Sequence, residues 1–452
     1  MFVPKSEIIT KLSANVPRYT SYPTAPNFSP DLGPQLVEKM HASIDNGGAL
    51  SIYIHIPYCD RLCWFCGCHT KQTKSYIPIS YYVETLLEEI ELHRKALARS
   101  PEVAHIHFGG GSPSMLKSDD FNELSKKLRT SFRVTEKTEI SVEIDPNDMS
   151  DDMLVGLQKI GITRASIGVQ DFDPDVQEAI NRPQTFEQTR DLIEELRSIN
   201  ISSINVDALY GLPRQDMNRL NNTLEKVISL SPDRVAMFGY AHVPWLKKHQ
   251  NMINDQELPN IEQRHQQADF ADQFLTSSGL QKIGIDHYAT PEDSLTKALN
   301  EGTLHRNFQG YTTDQCNNLL GLGASSINQY DGGFIQNTVP TKQYKAQISE
   351  GKFAANRGYE LTQDDRIRGY VIERLMCDFS FNFDDVAIKF GDTGAPIIET
   401  AKSVVLQDSD DLCWIGDGKF NVSADKRAFT RIVASKFDAY LSKQNSKFSK
   451  PI

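Results

Sequence analysis

The sequence predicts an α/β fold: a partial (β/α)6 barrel, preceded by an irregular N-terminal arm and followed by a smaller, mostly helical domain. Apolar runs alternate with amphipathic helical patterns over residues 50–240, which predicts the barrel. The alternation is lost after about residue 350, which predicts a separate C-terminal domain. We therefore place the arm at residues 1–33, the barrel domain at residues 34–358 and the C-terminal domain at residues 359–452.

The arm combines features that are rarely found together. Its segment "PRYTSYPTAPNF" holds three prolines, which disfavour a helix, and it is unusually aromatic for an exposed tail. We expect it either to pack over the surface or to cover an active site.

Six apolar runs are predicted as parallel strands, because helical patterns lie between them. The predicted strands are residues 50–56, 103–108, 139–144, 164–169, 203–209 and 233–240. The clearest intervening helices are predicted at residues 81–97, 119–132, 186–199 and 217–230. Residues 281–288 are predicted as another short strand or a loop.

Polar and glycine-rich segments follow these strands, at the edge where a barrel gathers its functional groups. A cysteine-rich loop follows the first strand and "GGGSP" (109–113) follows the second. The other strand-end residues are Glu143, Asp145, Gln170, Asp171, Asp207 and Tyr240. An open doubly wound sheet would show a similar trend.

The C-terminal domain lacks the βα alternation. Residues 368–391 and 426–443 are predicted as helices, and residues 410–423 as a small hairpin with a glycine turn.

Composition excludes several classes of function. The 452 residues carry a net charge of −11 without a basic run, so we expect no nucleic-acid partner. No apolar stretch reaches the length of a signal peptide or a membrane span, so we expect a cytoplasmic protein with no membrane partner. No long apolar surface stripe stands out, so we expect a monomer.

The loop "YCDRLCWFCGCHT" (58–70) holds four of the seven cysteines: Cys59, Cys63, Cys66 and Cys68. In a reducing compartment such a group indicates metal binding or catalysis rather than a disulfide. Three thiolates at the spacing Cys-x3-Cys-x2-Cys can bind three corners of a [4Fe–4S] cluster and leave one iron open. A zinc site remains an alternative, although zinc usually takes its ligands as two separated pairs.

The motif after a first strand, with Phe65 just before the last cysteine of the motif, resembles the signature of the radical S-adenosylmethionine (SAM) enzymes. A closer resemblance is to the oxygen-independent coproporphyrinogen III oxidases of haem biosynthesis. It rests on "PRYTSYPTA", "YIHIPYC", "CWFCGCHT", "FGGGSPS", "EIDP", "IGVQDF", "INRPQ", "NVDALYGLP", "YAHVP" and "HRNFQGYTT". Related haem chaperones generally lack both "CGC" and the arm, so these features favour the oxidases.

The resemblance implies a [4Fe–4S] cluster with Cys59, Cys63 and Cys66 as ligands, and two molecules of SAM. It places the first SAM against Tyr53, Phe65, Gly110, Glu143 and Ile327. It places the second SAM against Gly111, Ser112, Gln170, Arg182, Asp207 and Ala241. Ser112 stands where the family commonly has threonine and keeps the hydroxyl. Without the resemblance, the strand-end carboxylates would be read as helix caps and Arg182 as a surface charge.

The activity implied is oxidative decarboxylation of two propionates of coproporphyrinogen III to vinyl groups, with an electron donor such as a flavodoxin. Cys68 is expected to line the substrate pocket rather than to be a fourth ligand. Arg18 and Arg306 are our candidates for binding the substrate carboxylates. The alternatives are a haem chaperone, another radical SAM protein that acts on a tetrapyrrole, and a zinc-stabilised binding protein. The C-terminal domain is expected to act as a lid.

Overall fold

The computed structural model describes residues 16–441, so the first fifteen residues of the predicted arm lie outside the described part. The strands, in chain order, are β1 (Leu50–Ile56), β2 (Tyr58–Cys59), β3 (Lys71–Gln72), β4 (Glu102–Gly110), β5 (Arg133–Ile144), β6 (Arg164–Gln170), β7 (Ser203–Tyr210), β8 (Arg234–Gly239), β9 (Gln281–Ile283), β10 (His287–Ala289), β11 (His305–Asn307), β12 (Gly310–Thr312), β13 (Asn318–Leu322), β14 (Ile327–Tyr330), β15 (Gly333–Asn337), β16 (Ala355–Glu360), β17 (Ser380–Asn382), β18 (Cys413–Gly416) and β19 (Lys419–Val422). The α-helices are α1 (Gly33–Asn46), α2 (Ile77–Ala96), α3 (Ser118–Ser131), α4 (Asp151–Ile160), α5 (Pro174–Ala179), α6 (Phe186–Ser198), α7 (Met217–Ser229), α8 (Ile261–Ser277), α9 (Ser294–Glu301), α10 (Thr341–Ser349), α11 (Gln363–Asp378), α12 (Phe383–Phe390), α13 (Ala395–Gln407) and α14 (Thr430–Ser435).

A twelve-stranded sheet forms the centre, in the order β16-β15-β14-β13-β1-β4-β5-β6-β7-β8-β10-β9. The six predicted strands are β1 and β4 to β8, and each pairs in parallel with the next. Strand β13 extends the parallel part beyond β1. Within residues 16–441 the end strands β16 and β9 do not pair with each other, so the barrel is partial, as predicted.

The intervening helices pack an apolar face against the sheet, because their apolar residues recur at helical spacing. In α6, for example, Leu192, Ile193 and Leu196 are buried, and the helix begins where Thr185 accepts a hydrogen bond from the Gln188 N–H (3.1 Å). The segment 281–288, predicted as a strand or a loop, forms the antiparallel hairpin β9–β10 at the sheet edge.

The arm and the C-terminal part share one apolar core. Val16, Tyr19 and Tyr22 pack in the same cluster as residues of α11 and α14. Further along, Ser29 exchanges two backbone hydrogen bonds with Gly358 of β16 (2.8 and 2.9 Å), which fixes the arm to the main sheet. The boundaries at residues 33 and 358 stay predictions.

Two predicted C-terminal helices are wrong in extent. The helix at 368–391 breaks where Phe379 adopts a left-handed conformation (φ 59°), and β17 separates α11 from α12. Within the helix predicted at 426–443, the α-helix observed is α14, which ends at Ser435. Residues 442 and 443 lie outside the described part. The chain turns away after α14 because Asp438 accepts hydrogen bonds from the Tyr19 hydroxyl (3.0 Å) and the Tyr440 N–H (2.8 Å). These tertiary contacts have no local sequence pattern.

Glu89 of α2 is a buried carboxyl that makes the free energy of unfolding depend on pH. It accepts hydrogen bonds from the Gly323 N–H (2.7 Å), Asn337 (2.9 Å) and Tyr344 (2.8 Å). Burial nevertheless raises its pKa from 4.5 to about 7. Since the pKa is higher in the folded state, the stabilisation is complete below pH 4.5 and is lost as pH rises through 7.

We therefore expect the free energy of unfolding to fall by about 1 kcal/mol through Glu89 between pH 6 and pH 8. In Glu89→Gln this contribution disappears, since an amide does not titrate. Urea unfolding of both proteins at the two pH values measures the difference. Glu88→Gln, at the exposed neighbouring position, is the matched control. An equal pH dependence in Glu89→Gln and the wild type would contradict the prediction.

Candidate active site

The cysteine loop leaves β1 and closes on itself through the short parallel pair β2–β3. Thr70 lies 2.9 Å from the Cys59 sulfur, and Arg182 donates from Nη1 to the Cys63 sulfur (3.5 Å). The Cys66 sulfur accepts the Cys68 N–H (3.4 Å). All seven cysteines are free thiols, so the loop is not a disulfide knot.

The thiols differ in acidity. Burial raises the pKa of Cys59 to about 12 and also raises that of Cys63, although Arg182 opposes the rise. The hydrogen bond from the Cys68 side chain lowers the pKa of Cys66 to about 7 and raises that of Cys68. Metal binding at this loop therefore has to displace protons from the buried thiols.

The loop offers thiolate donors of the kind that iron–sulfur clusters and zinc take. Cys59, Cys63 and Cys66 lie close enough to interact electrostatically. Within residues 16–441, no group of three or more His, Cys, Asp or Glu side chains is placed to hold one metal ion. A structural zinc site needs four ligands around one ion, whereas a cubane takes each thiolate on a different iron.

The glycine segment after β4 is shaped around Glu143. The Gly110 N–H donates to Glu143 Oε2 (2.9 Å), and a side chain at Gly109 would place its Cβ 2.8 Å from Glu143 Oε1. Gly110 itself has a φ of +117°, and a Cβ there would meet the His55 ring at 2.5 Å. Side chains larger than glycine would therefore displace either Glu143 or His55.

His107 connects the residues predicted to contact the first SAM. Its Nε2 lies 3.2 Å from Glu143 Oε1, and its ring stacks on Tyr53 with centroids 5.8 Å apart. Burial alone would raise the pKa of Glu143, but the hydrogen bonds from His107 and Gly110 hold it below its ordinary value. Glu143 is thus an ionised hydrogen-bond acceptor at the carboxyl end of β5.

The residues predicted to contact the second SAM lie along the next strands. Arg182 is buried, donates to Asp145 (2.8 Å) and to the Gly168 carbonyl (2.7 Å), and so is not a surface charge. Asp207 on β7 accepts hydrogen bonds from Ser166 and Asn205 (both 2.8 Å), and burial raises its pKa.

The remaining predicted positions act mainly through the backbone. The N–H groups of Gly111 and Ser112 donate to the carbonyls that frame the start of the cysteine loop, those of Ile56 (2.8 Å) and Tyr58 (2.7 Å). Gln170 ends β6 with a φ of 68°. Phe65 and Ala241 are linked, since Gln250 Nε2 donates to both carbonyls (2.9 and 3.2 Å). Ile327 begins β14, where its carbonyl lies against Gly321.

A cavity of about 370 Å³ lies between β7, β8 and the C-terminal helices. Arg18 and Arg306 both line it, together with apolar residues such as Phe238 and Met376. The other cations of the lining are Arg264, Lys282, Arg427 and Arg431, and the carboxylates are Asp269, Asp272, Asp286 and Asp425. A second cavity, of about 530 Å³, shares Arg306 and is bordered by Tyr19 and Tyr22 of the arm.

Positive charge dominates the first cavity. Burial, and then repulsion by Arg18 and Arg306, lowers the pKa of Arg431 to about 9. Arg306 stacks on Tyr311 (4.4 Å), while its Nε and Nη1 atoms are buried without a hydrogen-bond partner. A buried guanidinium with free donors is suited to a carboxylate ligand.

The cysteine loop lines neither cavity, but the end of β8 connects the two regions. Phe238 and Gly239 line the first cavity, and Ala241 shares Gln250 with Phe65 of the loop. The thiol of Cys68 forms a hydrogen bond with Cys66. That Cys68 lines the substrate pocket stays a prediction.

Several site residues escaped the sequence analysis. Arg264 and Arg431 carry no motif, and only folding brings them to the cavity. His107 could have been identified from the sequence. It is a polar residue inside an apolar strand, and it lies at the alternate spacing that points one face of the strand inward. Conversely, Asp171 at the end of β6 is structural, because it accepts hydrogen bonds from Gln215 (2.7 Å) and Thr223 (2.9 Å).

Comparison with known proteins first shows the class of protein to which the chain belongs. The sequence pattern of the Radical SAM superfamily matches residues 53–227, which include the cysteine loop and Glu143. The chain is 42% identical over 427 residues to an oxygen-independent coproporphyrinogen III oxidase of Cereibacter sphaeroides, covering 94% of each chain. It is 43% identical over 426 residues to one of Bradyrhizobium diazoefficiens, covering 94% of this chain and 95% of the relative.

A solved structure agrees with these relatives. The coproporphyrinogen III oxidase of Escherichia coli, described as a radical SAM enzyme, superposes with a TM-score of 0.89 at 38% identity, covering 94% of this chain and 98% of that chain. The chain belongs to the family of oxygen-independent coproporphyrinogen III oxidases. The family implies an iron–sulfur cluster and SAM as cofactors. Over residues 16–441, no helix has the length and apolar character needed to cross a bilayer.

Proposed function

We propose that this protein converts two propionates of coproporphyrinogen III to vinyl groups without oxygen, giving protoporphyrinogen IX. The observation that carries the proposal is a three-cysteine loop contacted by the buried Arg182, with the Glu143–His107 pair at the neighbouring strand ends, joined through β8 to a cavity with excess positive charge. The relatives named above are oxidases for this substrate, which supports the oxidase over a haem chaperone or another tetrapyrrole-acting protein.

Cys59, Cys63 and Cys66 would hold a [4Fe–4S] cluster, with the first SAM bound beside it. When bound, these groups supply a one-electron cleavage of SAM that gives a 5′-deoxyadenosyl radical. The chain contributes the positioning. Glu143 and Tyr53 provide a polar acceptor and an aromatic face for the first SAM, and Gly110 allows close approach of the backbone.

A second SAM would lie against the strand-end group formed by Arg182, Asp207 and their neighbours. Asp207 is a partly buried acceptor suited to ribose hydroxyls or an ammonium group. Arg182 is the cation suited to a methionine carboxylate, and it would have to share its fork with Asp145. We thus propose that the protein binds two SAM molecules and that three cysteines ligate the cluster.

The substrate carboxylates would bind Arg18 and Arg306, and the apolar wall around Phe238 and Met376 would contact the macrocycle. Each propionate that reacts loses one hydrogen atom, CO2 and one electron to become a vinyl group. The substrate radical would pass that electron to an external acceptor. We also propose that the protein is a cytoplasmic monomer with the arm and C-terminal part as a lid.

An anaerobic assay tests the function. The reconstituted protein is incubated with dithionite, SAM, coproporphyrinogen III and a cell extract that supplies the acceptor, and the oxidised porphyrins are separated by HPLC. The proposal requires protoporphyrin together with 5′-deoxyadenosine. If 5′-deoxyadenosine forms but no vinyl porphyrin does, the radical chemistry stands and the substrate assignment is wrong.

Glu143→Gln is expected to weaken SAM binding about tenfold or more, because hydrogen bonds to a charged group contribute about 1.5–3 kcal/mol. Equilibrium dialysis of SAM against the reconstituted protein measures the change. Glu136→Gln, in an exposed part of the same strand, is the matched control and should bind SAM like the wild type. Unchanged affinity in Glu143→Gln would remove Glu143 from the SAM site.

A further inference from the structure

The loop after β8 carries apolar side chains that the fold leaves uncovered. Trp245, Leu246 and Met252 are 50%, 66% and 60% exposed. Exposed apolar side chains that lie together, with polar residues around them, mark interaction surfaces in soluble proteins. The region therefore has the apolar part of a contact surface.

This loop is fastened directly to the cysteine loop. Lys247 donates to the Cys68 carbonyl (3.0 Å), His249 to the Cys66 carbonyl (2.7 Å) and Gln250 to the Phe65 carbonyl (2.9 Å). Trp245 and Leu246 immediately precede these residues in the chain. A partner that covered the exposed side chains would therefore lie beside the backbone of the metal-binding loop.

Lysines continue the surface across the cysteine loop. After burial, the charges of Lys247 and Lys71 lower the pKa of His69, which places both lysines near that ring. Lys71 also acts on Lys345, whose Nζ lies 5.5 Å from the centroid of the Tyr81 ring. Tyr81 is 57% exposed and adds an aromatic side chain to the surface beside Lys345.

The surface is positive within an acidic chain. We call Lys71, Lys74, Lys247, Lys248 and Lys345 the lysine face. Among the described residues, Asp60 pairs with Lys74 (2.9 Å) and Glu84 acts on Lys345. A chain of net charge −11 repels an acidic partner elsewhere, so a local excess of lysines selects where such a partner approaches.

We propose that the lysine face, with Trp245 and Leu246, is the docking surface for an acidic protein that carries single electrons on a cofactor near its own surface. The carrier gives up one electron to the group held by the cysteine loop and is itself oxidised by one electron. This inference rests on the proposed function, since only a reductively activated site needs such a donor. The lysines orient the carrier, and the apolar side chains form the dry centre of the contact.

The test is direct binding of a flavodoxin to the reconstituted protein, measured anaerobically and without turnover. The double variant Lys71→Glu/Lys248→Glu reverses two exposed charges of the lysine face. We expect it to bind flavodoxin at least about tenfold more weakly at low salt and to lose most of the salt dependence of the wild type. Leu246→Ser is expected to weaken binding with the salt dependence intact.

The matched control is Lys137→Glu/Lys297→Glu, which changes the net charge equally. Lys137 lies near the amino end of β5 and Lys297 on α9, both exposed and at the edge of the sheet opposite the cysteine loop. The control should bind flavodoxin like the wild type. If both double variants lost the same amount of flavodoxin affinity, the cause would be the net charge of the chain, and the proposed docking surface would be wrong. It would also be wrong if Lys71→Glu/Lys248→Glu bound flavodoxin like the wild type.

A dithionite control separates this inference from the proposed function. Dithionite needs no docking surface, so it should yield 5′-deoxyadenosine from SAM equally in the wild type and in Lys71→Glu/Lys248→Glu. If flavodoxin binding depends on the lysine face while dithionite yields no 5′-deoxyadenosine in any protein, the docking surface stands and the proposed function fails.

Discussion

Cys63→Ala is expected to leave the protein without its iron–sulfur cluster and to abolish porphyrin conversion. Cys63 is buried in the centre of the cysteine loop, where Arg182 donates to its sulfur. Changes to residues that only support metal ligands already cost about 10–100-fold. The loss of a ligand should therefore exceed about a hundredfold. Iron and sulfide content and the yield of protoporphyrin measure the result.

Two other cysteines provide the controls. Cys413→Ala removes a buried thiol of the C-terminal hairpin and should keep both the iron and the activity. Cys68→Ala should keep the iron, because Cys68 is not a proposed ligand. Iron retained in Cys63→Ala, or lost in Cys68→Ala, would require a different set of ligands.

Arg306→Gln is expected to lower kcat/KM for coproporphyrinogen III about 10- to 100-fold, mainly through KM. Arg306 has buried donors without a protein partner and lies where the two cavities meet. A hydrogen bond to a charged group contributes about 1.5–3 kcal/mol, which corresponds to that range. Steady-state kinetics with coproporphyrinogen III measures the change, while iron content and SAM affinity should stay at the wild-type level.

Conservative and distant variants make this prediction specific. Arg306→Lys keeps the charge but loses the planar fork, so it should recover part of the KM effect. Arg190→Gln removes a half-exposed arginine on α6 and should behave like the wild type. If Arg306→Gln lowers kcat without changing KM, Arg306 does not bind a substrate carboxylate.

Arg431, which lines the first cavity, also holds the arm in place. Arg431 of α14 donates to the carbonyls of Val16 (2.6 Å) and Pro17 (3.1 Å), and these residues directly precede Arg18. The contact places Arg18 in the cavity, where its Nη2 also reaches the Gly239 carbonyl at 3.4 Å. The arm thus contributes to the candidate substrate site only when it is packed on the C-terminal part.

Sequence reasoning worked where the signal is local. Strand β1 was predicted with its observed bounds, because a buried parallel strand is a short continuous apolar run. It failed for the helix predicted at 426–443, because the turn after Ser435 depends on Asp438 binding Tyr19, more than four hundred positions away in the chain.

The sequence alone determined the cysteine spacing, the βα alternation and the glycine segment, since each depends on residues within one strand and the loop that follows it. Only the tertiary structure brought Arg18, Arg264, Arg306 and Arg431 together around one cavity. It also brought Lys71 and Lys247 near the His69 ring, and Lys345 near Lys71. These groups come from distant segments, and their convergence depends on how the arm, the barrel and the C-terminal helices bury their apolar faces against one another. No pattern within a single segment encodes that packing.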